Sequence, residues 1–157
     1  MDEKEIREMC LNLLETGWPA YLTTIDKKGF PQTRAMFNLR NSERFPKLTS
    51  LFDNHHDDFM IIFTTNTSST KIEDIRSRPK TSVYYCNPDD SKGVMFGGEL
   101  EIVDDQELKK ELWHEGWKNY YPQGYDDPDH TVLGLVPTVA KGWTGSMTFR
   151  LELGDTK

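Results

Sequence analysis

The stretch of this 157-residue sequence best equipped for chemistry is Thr64-Thr65-Asn66-Thr67-Ser68-Ser69-Thr70-Lys71, with six hydroxyl side chains and one amide in eight positions, ending on a cation. A helix is expected to begin inside it, from about Ser68. The first turn of a helix presents unpaired N–H groups and a partial positive charge, so a lysine there is mildly unfavourable unless something negative lies alongside. Hydroxyls, outward-pointing N–H groups and a full charge together suit a phosphate ester. The segment has no glycine, so it is not the GxxxxGK[ST] loop of a nucleotide-triphosphate site. Arg34, in a strand-like run with small and apolar neighbours, is a second cation that a barrel wall would bring to the same anion. On these residues alone two accounts stand. One is a phosphate cradle; the other is a hydroxyl cluster that only caps a helix, with Arg34 paired to a surface carboxylate.

Other chemistries have weaker support. His55-His56 followed by Asp57-Asp58 lacks the spacing of a tight metal site and reads as a solvated loop, so no metal is expected. Cys10 and Cys86 form no CxxC pattern, and each is expected to be an unreactive buried thiol. There is no GxSxG elbow, and the carboxylate pairs Asp89-Asp90 and Asp126-Asp127 fall in turns. No residue is assigned a catalytic role.

These residues need elements to position them. Residues 3 to 15 place Ile6, Met9, Cys10, Leu13 and Leu14 on one helical face, ended by Gly17. The runs at 18–26 and 30–39 flank a turn at 26–29 and read as a hairpin. Residues 41 to 58 have no clear period and read as a long loop with one helical turn. A strand over 59–65 leads into a helix from about Ser68 to Ser77, with Ile72 and Ile75 inward, Thr70-x-x-Glu73 as a capping box, and Pro79 as its stop. A second hairpin pairs 80–86 with 93–103, where Gly97-Gly98 suggests a bulge or a close backbone approach. One helix is expected over 104–121, then a turn-rich loop, then strands over 131–140 and 142–153 joined tightly around Lys141-Gly142.

Six or seven short strands, mostly in hairpins, with peripheral helices predict a mainly β fold: a small antiparallel barrel whose closure would remove its edges. The length suits one domain spanning 1–157. Acidic residues outnumber basic ones 26 to 19, a net charge of −7, which argues against nucleic acid or an anionic membrane as partner. The amino terminus is charged throughout and reads as neither signal peptide nor anchor, so a cytoplasmic protein is expected.

With these residues in view, the chain resembles the pyridoxamine 5′-phosphate oxidase-like superfamily of flavin-binding split barrels, and most of all its bacterial general stress protein branch. That superfamily carries an R-x-[VM] strand, then a [YT]-T-N-x-x-S-x-K segment between strand and helix, then a helix ending N-P or similar. Here these read Arg34-Ala35-Met36, Thr64 to Lys71, and Arg78-Pro79. Lys141-Gly142-Trp143-Thr144-Gly145 resembles the aromatic W-x-G strand, and residues 112–128 resemble the helix and loop of the stress-protein branch. The likeness covers nearly the whole chain except 41–58.

The resemblance implies an antiparallel, Greek-key-type split barrel that binds FMN or FAD. Arg34, Ser69 and Lys71 would hold the phosphate, with Thr70 alongside. Ala35, Met36 and Phe37 would face the isoalloxazine ring, Thr64 and Thr65 the ribityl chain or ring, and Trp143 would come from the partner subunit of a homodimer with two interfacial sites. Trp113, Trp117, Tyr120 and Tyr121 either line a cavity for a small-molecule redox substrate or pack a helix onto the barrel. Residues 146–157 lack the arginine- and histidine-bearing segment with which authentic pyridoxamine phosphate oxidases grip their substrate, so vitamin B6 oxidation is not expected. Arg150 reads as an outward-facing residue. The implied activity is that of an oxidoreductase of unassigned substrate, or of a flavin carrier or sensor without turnover.

Overall fold

The computed structural model describes residues 1–154. The last three residues of the expected 1–157 domain lie outside the described part. Helix α1 (Glu3–Thr16) opens with a reciprocal capping box between Asp2 and Glu5 and buries Met9, Cys10, Leu13 and Leu14. Each such side chain is worth about 1.5–3 kcal/mol when withdrawn from water. Burial also pushes the Cys10 thiol up to about 12, so it stays protonated.

Among the described residues nine strands form two antiparallel sheets. The larger runs β2 (Pro31–Met36), β1 (Ala20–Ile25), β4 (Lys80–Asn87), β5 (Lys92–Glu99), β8 (Val139–Thr144) and β9 (Met147–Glu152). The smaller runs β3 (Ile61–Asn66), β7 (His130–Leu135) and β6 (Glu101–Val103). Between the sheets, under α1 and α2 (Thr70–Ser77), lies the main core, which includes Leu22, Phe63, Ile72, Ile75, Tyr85, Phe96 and Leu133. A second cluster covers the other face of the small sheet, with Leu48 and Phe52 from a 3-10 segment (Pro46–Phe52), Leu112 from α3 (Gln106–Leu112), and Ile62, Trp117, Tyr121 and Val132. Successive residues of a strand face opposite ways. β3 therefore serves both cores, with Ile61 and Phe63 in one and Ile62 in the other.

Several sequence expectations are corrected. The ladders do not close into one ring; β2 and β3 each keep an unpaired edge, and those edges border the groove described below. The run 93–103 is two strands in different sheets, since the chain changes sheet at Leu100, whose N–H donates to Pro79 O at 2.9 Å. Gly97-Gly98 allows the close approach there: a Cβ at Gly98 would lie 2.7 Å from Leu135 Cδ1.

Residues 131–140 also divide, because the chain crosses between sheets after Leu135, through Pro137, and resumes at Val139. The final tight turn lies at Gly145, at φ +57°, not at Lys141-Gly142. Gly142 sits opposite Phe149 in mid-ladder, where a Cβ would run into Gly93 O. The glycine there marks close packing, and a turn reading mistakes it.

The helix expected over 104–121 breaks. Asp105 caps α3 by accepting from Leu108 N at 3.1 Å; Trp113 and His114 are extended, and a 3-10 turn (Glu115–Asn119) follows. The break lets Trp117 and Tyr121 be buried against the small sheet.

Candidate functional site

The N-cap of α2 is Ser69, not the Thr70 of the expected capping box, and its hydroxyl accepts from Lys71 N. Lys71 is therefore the second helical residue. Its Nζ folds back to donate to Ser69 Oγ at 2.8 Å and to Thr65 Oγ1 at 2.7 Å. Thr65 shares the β3 face of Phe63, which turns it toward the main core and buries it. Arg34 pairs in register with Leu22, so it too lies on the inward side of its strand. Its Nη1 donates to Thr24 Oγ1 at 2.7 Å and to Gln32 O at 2.9 Å.

These two cations are half-buried, and burial lowers the pKa of both. Arg34's charge lowers that of Lys71 further, while the more distant Asp74 partly offsets the effect on Arg34. Asp74 forms its own ion pair with Arg78, at 3.3 Å. Among the described residues neither Arg34 nor Lys71 pairs with a carboxylate. Two partly desolvated cations that repel each other and hold only neutral oxygens form a site of unspent positive potential. Such a site suits a multiply charged anion that accepts from both. Of the two accounts open in the sequence, the one that pairs Arg34 with a surface carboxylate finds no such pair among the described residues.

The turn that carries this site is braced by a residue not singled out in the sequence. Asp129 accepts from Asn66 Nδ2 at 2.6 Å and from Ser68 N at 2.8 Å, and its carbonyl accepts from Thr67 N at 2.7 Å. These bonds hold the Asp129 carboxyl below its ordinary pKa. Asp126-Asp127-Pro128-Asp129 reads as a turn from sequence, and only the β3–β7 pairing brings it to residues 66–68.

Beside the cations, a groove of about 190 Å³ runs between the two open edges. Its lining is Ala35 and Met36 from β2 with Phe37 just after it, Thr64, Thr65 and Asn66 from β3, and Trp117, Tyr120 and Tyr121 beyond α3. The three residues expected to face the ring and the two expected at the ribityl chain or ring thus line one groove. The four aromatics divide between the two expected roles. Trp113 packs edge-on against Trp117 and His130, whereas Trp117, Tyr120 and Tyr121 line the groove. Burial raises the Tyr121 phenol to about 12, the Thr64 hydroxyl pulling slightly the other way. His130, its ring tilted 40° with its centroid 4.6 Å from that of Tyr121, has its pKa lowered by burial.

Phe45, from the long segment 41–58, touches Trp18, Phe37, His114 and Trp117, with ring centroids 6.2 to 6.5 Å away. That segment therefore fixes the aromatic wall against β2, a role its sequence did not reveal.

Trp143 is not brought to the cations within the chain. It lies on β8, four ladders from β2, and donates from Nε1 to Tyr84 OH at 2.8 Å. Thr70 is exposed at the first helical position, and Arg150 pairs outward with Glu152 at 2.6 Å. His55 and Asp58 bond to each other at 2.9 Å, and no three metal-ligating side chains cluster among the described residues. A wider open depression of about 1150 Å³ runs past Gly98 and Leu135. Its charged lining of Lys80, Glu99, Glu101 and Glu152 is net acidic and offers no anion site.

Residues 47–153 match a family model described as pyridoxamine 5′-phosphate oxidase like. Among solved structures the chain is similar to a Clostridium acetobutylicum protein described as related to general stress protein 26 of B. subtilis, of the pyridoxinephosphate oxidase family. The identity is 25%, over 97% of this chain and 96% of that one, with a TM-score of 0.76. General stress protein 26 from Bacillus anthracis is 20% identical over 94% and 99% of the two chains, with a TM-score of 0.69. A heme binding protein from Mycobacterium smegmatis is 13% identical over 94% of this chain and 57% of its own, with a TM-score of 0.64. At those lower identities the likeness is one of fold. No curated protein matches the sequence. The match over residues 47–153, joined to the split two-sheet fold, makes this chain a member of the pyridoxamine 5′-phosphate oxidase-like family.

Proposed function

We propose that this chain binds a flavin nucleotide, FMN or FAD, and serves as a flavin-dependent oxidoreductase. The observation that carries the reading is the pair Arg34 and Lys71, half-buried and, among the described residues, without a carboxylate, beside a groove with polar strand edges and aromatic walls. The donor set fits the group. Arg34 and Lys71 would take the phosphate, aided by the Ser69 hydroxyl and the first N–H groups of α2, with Thr70 at its margin. Ala35, Met36, Phe37, Thr64 and Thr65 would lie against the ring and ribityl chain. When bound, the flavin supplies the hydride or electron chemistry, and the protein anchors and orients it and limits water.

The site is proposed to be completed by a second copy of the chain. One chain's groove is smaller than the roughly 300–1,000 Å³ usual for a ligand pocket. The outward face of the large sheet aligns Ala35, Tyr21, Tyr84 and Met95 across four strands, with Trp143 bonded to Tyr84. A second copy on this weakly polar face would bring its own Trp143 toward the groove. No described helix is long and apolar enough to cross a membrane. A cytoplasmic setting is part of the proposal.

The test is release of the bound chromophore from fresh protein and its identification by mass, repeated on Lys71→Ala. Unchanged flavin occupancy and affinity in the variant would refute the phosphate assignment. Turnover of a substrate panel well beyond one equivalent per site supports an oxidoreductase; strictly stoichiometric reduction makes the protein a flavin carrier or sensor.

A further inference from the structure

We infer that the aromatic wall of Phe37, Trp117 and Tyr120 is a second ring-binding surface, and that the substrate it takes is a flat, uncharged aromatic molecule and not a phosphorylated one. The inference rests on the flavin reading above, because it needs Arg34 and Lys71 to be occupied by the cofactor's phosphate. Four observations carry it.

None of the groove-lining residues is charged near neutrality; Tyr121, the one buried phenol among them, titrates only at about 12. Tyr120 and Phe37 are 56% and 42% exposed, although both are large aromatics beside a concave surface. The neighbouring cations are already engaged. Arg44 lies 3.9 Å above the Trp18 ring, and Lys118 pairs with Glu115 at 3.4 Å. Finally, the wall is held in place from behind, with Trp117 buried and in contact with Phe45, His114 and Trp113.

Among the described residues of this chain, a ligand entering here from the open side meets ring faces, and the cations named above already have partners. A phosphate or carboxylate brought to this wall would lose water without gaining a partner, a penalty a neutral ring avoids. A neutral aromatic gains offset or edge contacts with Tyr120 and Phe37. Charge selection in the site is thereby divided, with the anion at one end and the neutral ring at the other.

The test uses naphthol and naphthyl phosphate, one ring system with and without the charge, in equilibrium dialysis against flavin-loaded protein at matched chromophore content. Naphthol should bind about tenfold or more tighter than its phosphate ester. Tyr120→Ser should weaken naphthol by about fivefold, the size of one lost aromatic contact, and leave the ester unchanged. Tyr120→Phe keeps the ring and should bind naphthol as the native protein does. Equal or tighter binding of the ester, indifference to Tyr120→Ser, or release of flavin by naphthol would each overturn the inference. Failure of the flavin reading shows differently, as protein that takes up no flavin at all, and removes the inference with it.

Discussion

Two regions of the molecule withdraw cations from water, and they do so in opposite ways. Arg40 is 4% exposed, its Nη1 donates to His55 O at 3.0 Å and Met60 O at 2.8 Å, and its guanidinium lies 4.8 Å over Phe52. Burial works against its charge, and the nearby Glu15, Tyr85 and Asp58 favour it. Arg34 and Lys71 are less buried, yet they hold only neutral oxygens and repel each other. Arg40 is answered in part by the chain itself, through two fixed carbonyls on Nη1 and the field of neighbouring acids, while its Nε and Nη2 are buried without a hydrogen-bond partner. In the proposed reading, the Arg34–Lys71 pair is answered by an anion from outside.

The largest effect is expected at Arg40. Arg40→Ala leaves two buried carbonyls without a donor and opens a space over Phe52, so urea unfolding should show a loss of about 3 kcal/mol. Flavin affinity per folded molecule should not change. If Arg40→Ala does not fold, Arg40→Lys keeps the charge and still loses the two-carbonyl geometry, with a smaller loss of the same sign.

Lys71→Ala should behave in the reverse sense. Removing a charge-assisted contact worth about 1.5–3 kcal/mol lowers flavin affinity by about ten- to a hundredfold in a fluorescence titration, while unliganded stability stays level or rises. A mutant that loses stability but keeps its affinity would make Lys71 another Arg40. Next in size is inorganic phosphate, which should raise the melting temperature of the native protein and have no effect on Arg34→Ala or Lys71→Ala. An equal rise in all three would place the anion elsewhere.

The contrast also explains what the sequence allowed to be read. The β3–α2 turn is local: hydroxyls, cap and lysine lie within eight residues, so Ser69 and Lys71 were legible together. Arg34 was legible as a cation in a strand-like run of small and apolar residues, but the missing carboxylate was not: Asp74 pairs with Arg78 one helical turn on, and which acids come near Arg34 is decided by the packing of α2 on the sheet. Asp129 brings its carboxylate to residues 66–68 across more than sixty positions, and no local signal marks it. The breaks at Leu100 and after Leu135 escaped for a related reason. Apolar runs at Gly97-Gly98 and around Pro137 keep their strand character while changing sheets, and periodicity does not report which sheet a strand joins.

The smallest effect is the pH dependence of the unliganded site. Lys71 has a folded pKa below its ordinary 10.5, because burial and Arg34 both disfavour its charge. Between the folded and unfolded values the unfolded chain binds more protons, so stability rises with pH through that window and levels off above 10.5. Below the folded value both states are charged, and the folded one carries the whole penalty. Arg34 does not titrate in this range, so Lys71→Met should flatten the rise, measured as the difference between the two proteins' unfolding free energies so that tyrosine titration cancels. A bound phosphate ester should flatten it in the native protein too, by neutralising the repulsion that causes it. Parallel profiles for native protein and Lys71→Met would mean that Lys71 meets no penalty on folding. The cradle would then already be neutralised from within, as Arg40 in part is, and the distinction between the two regions would fall.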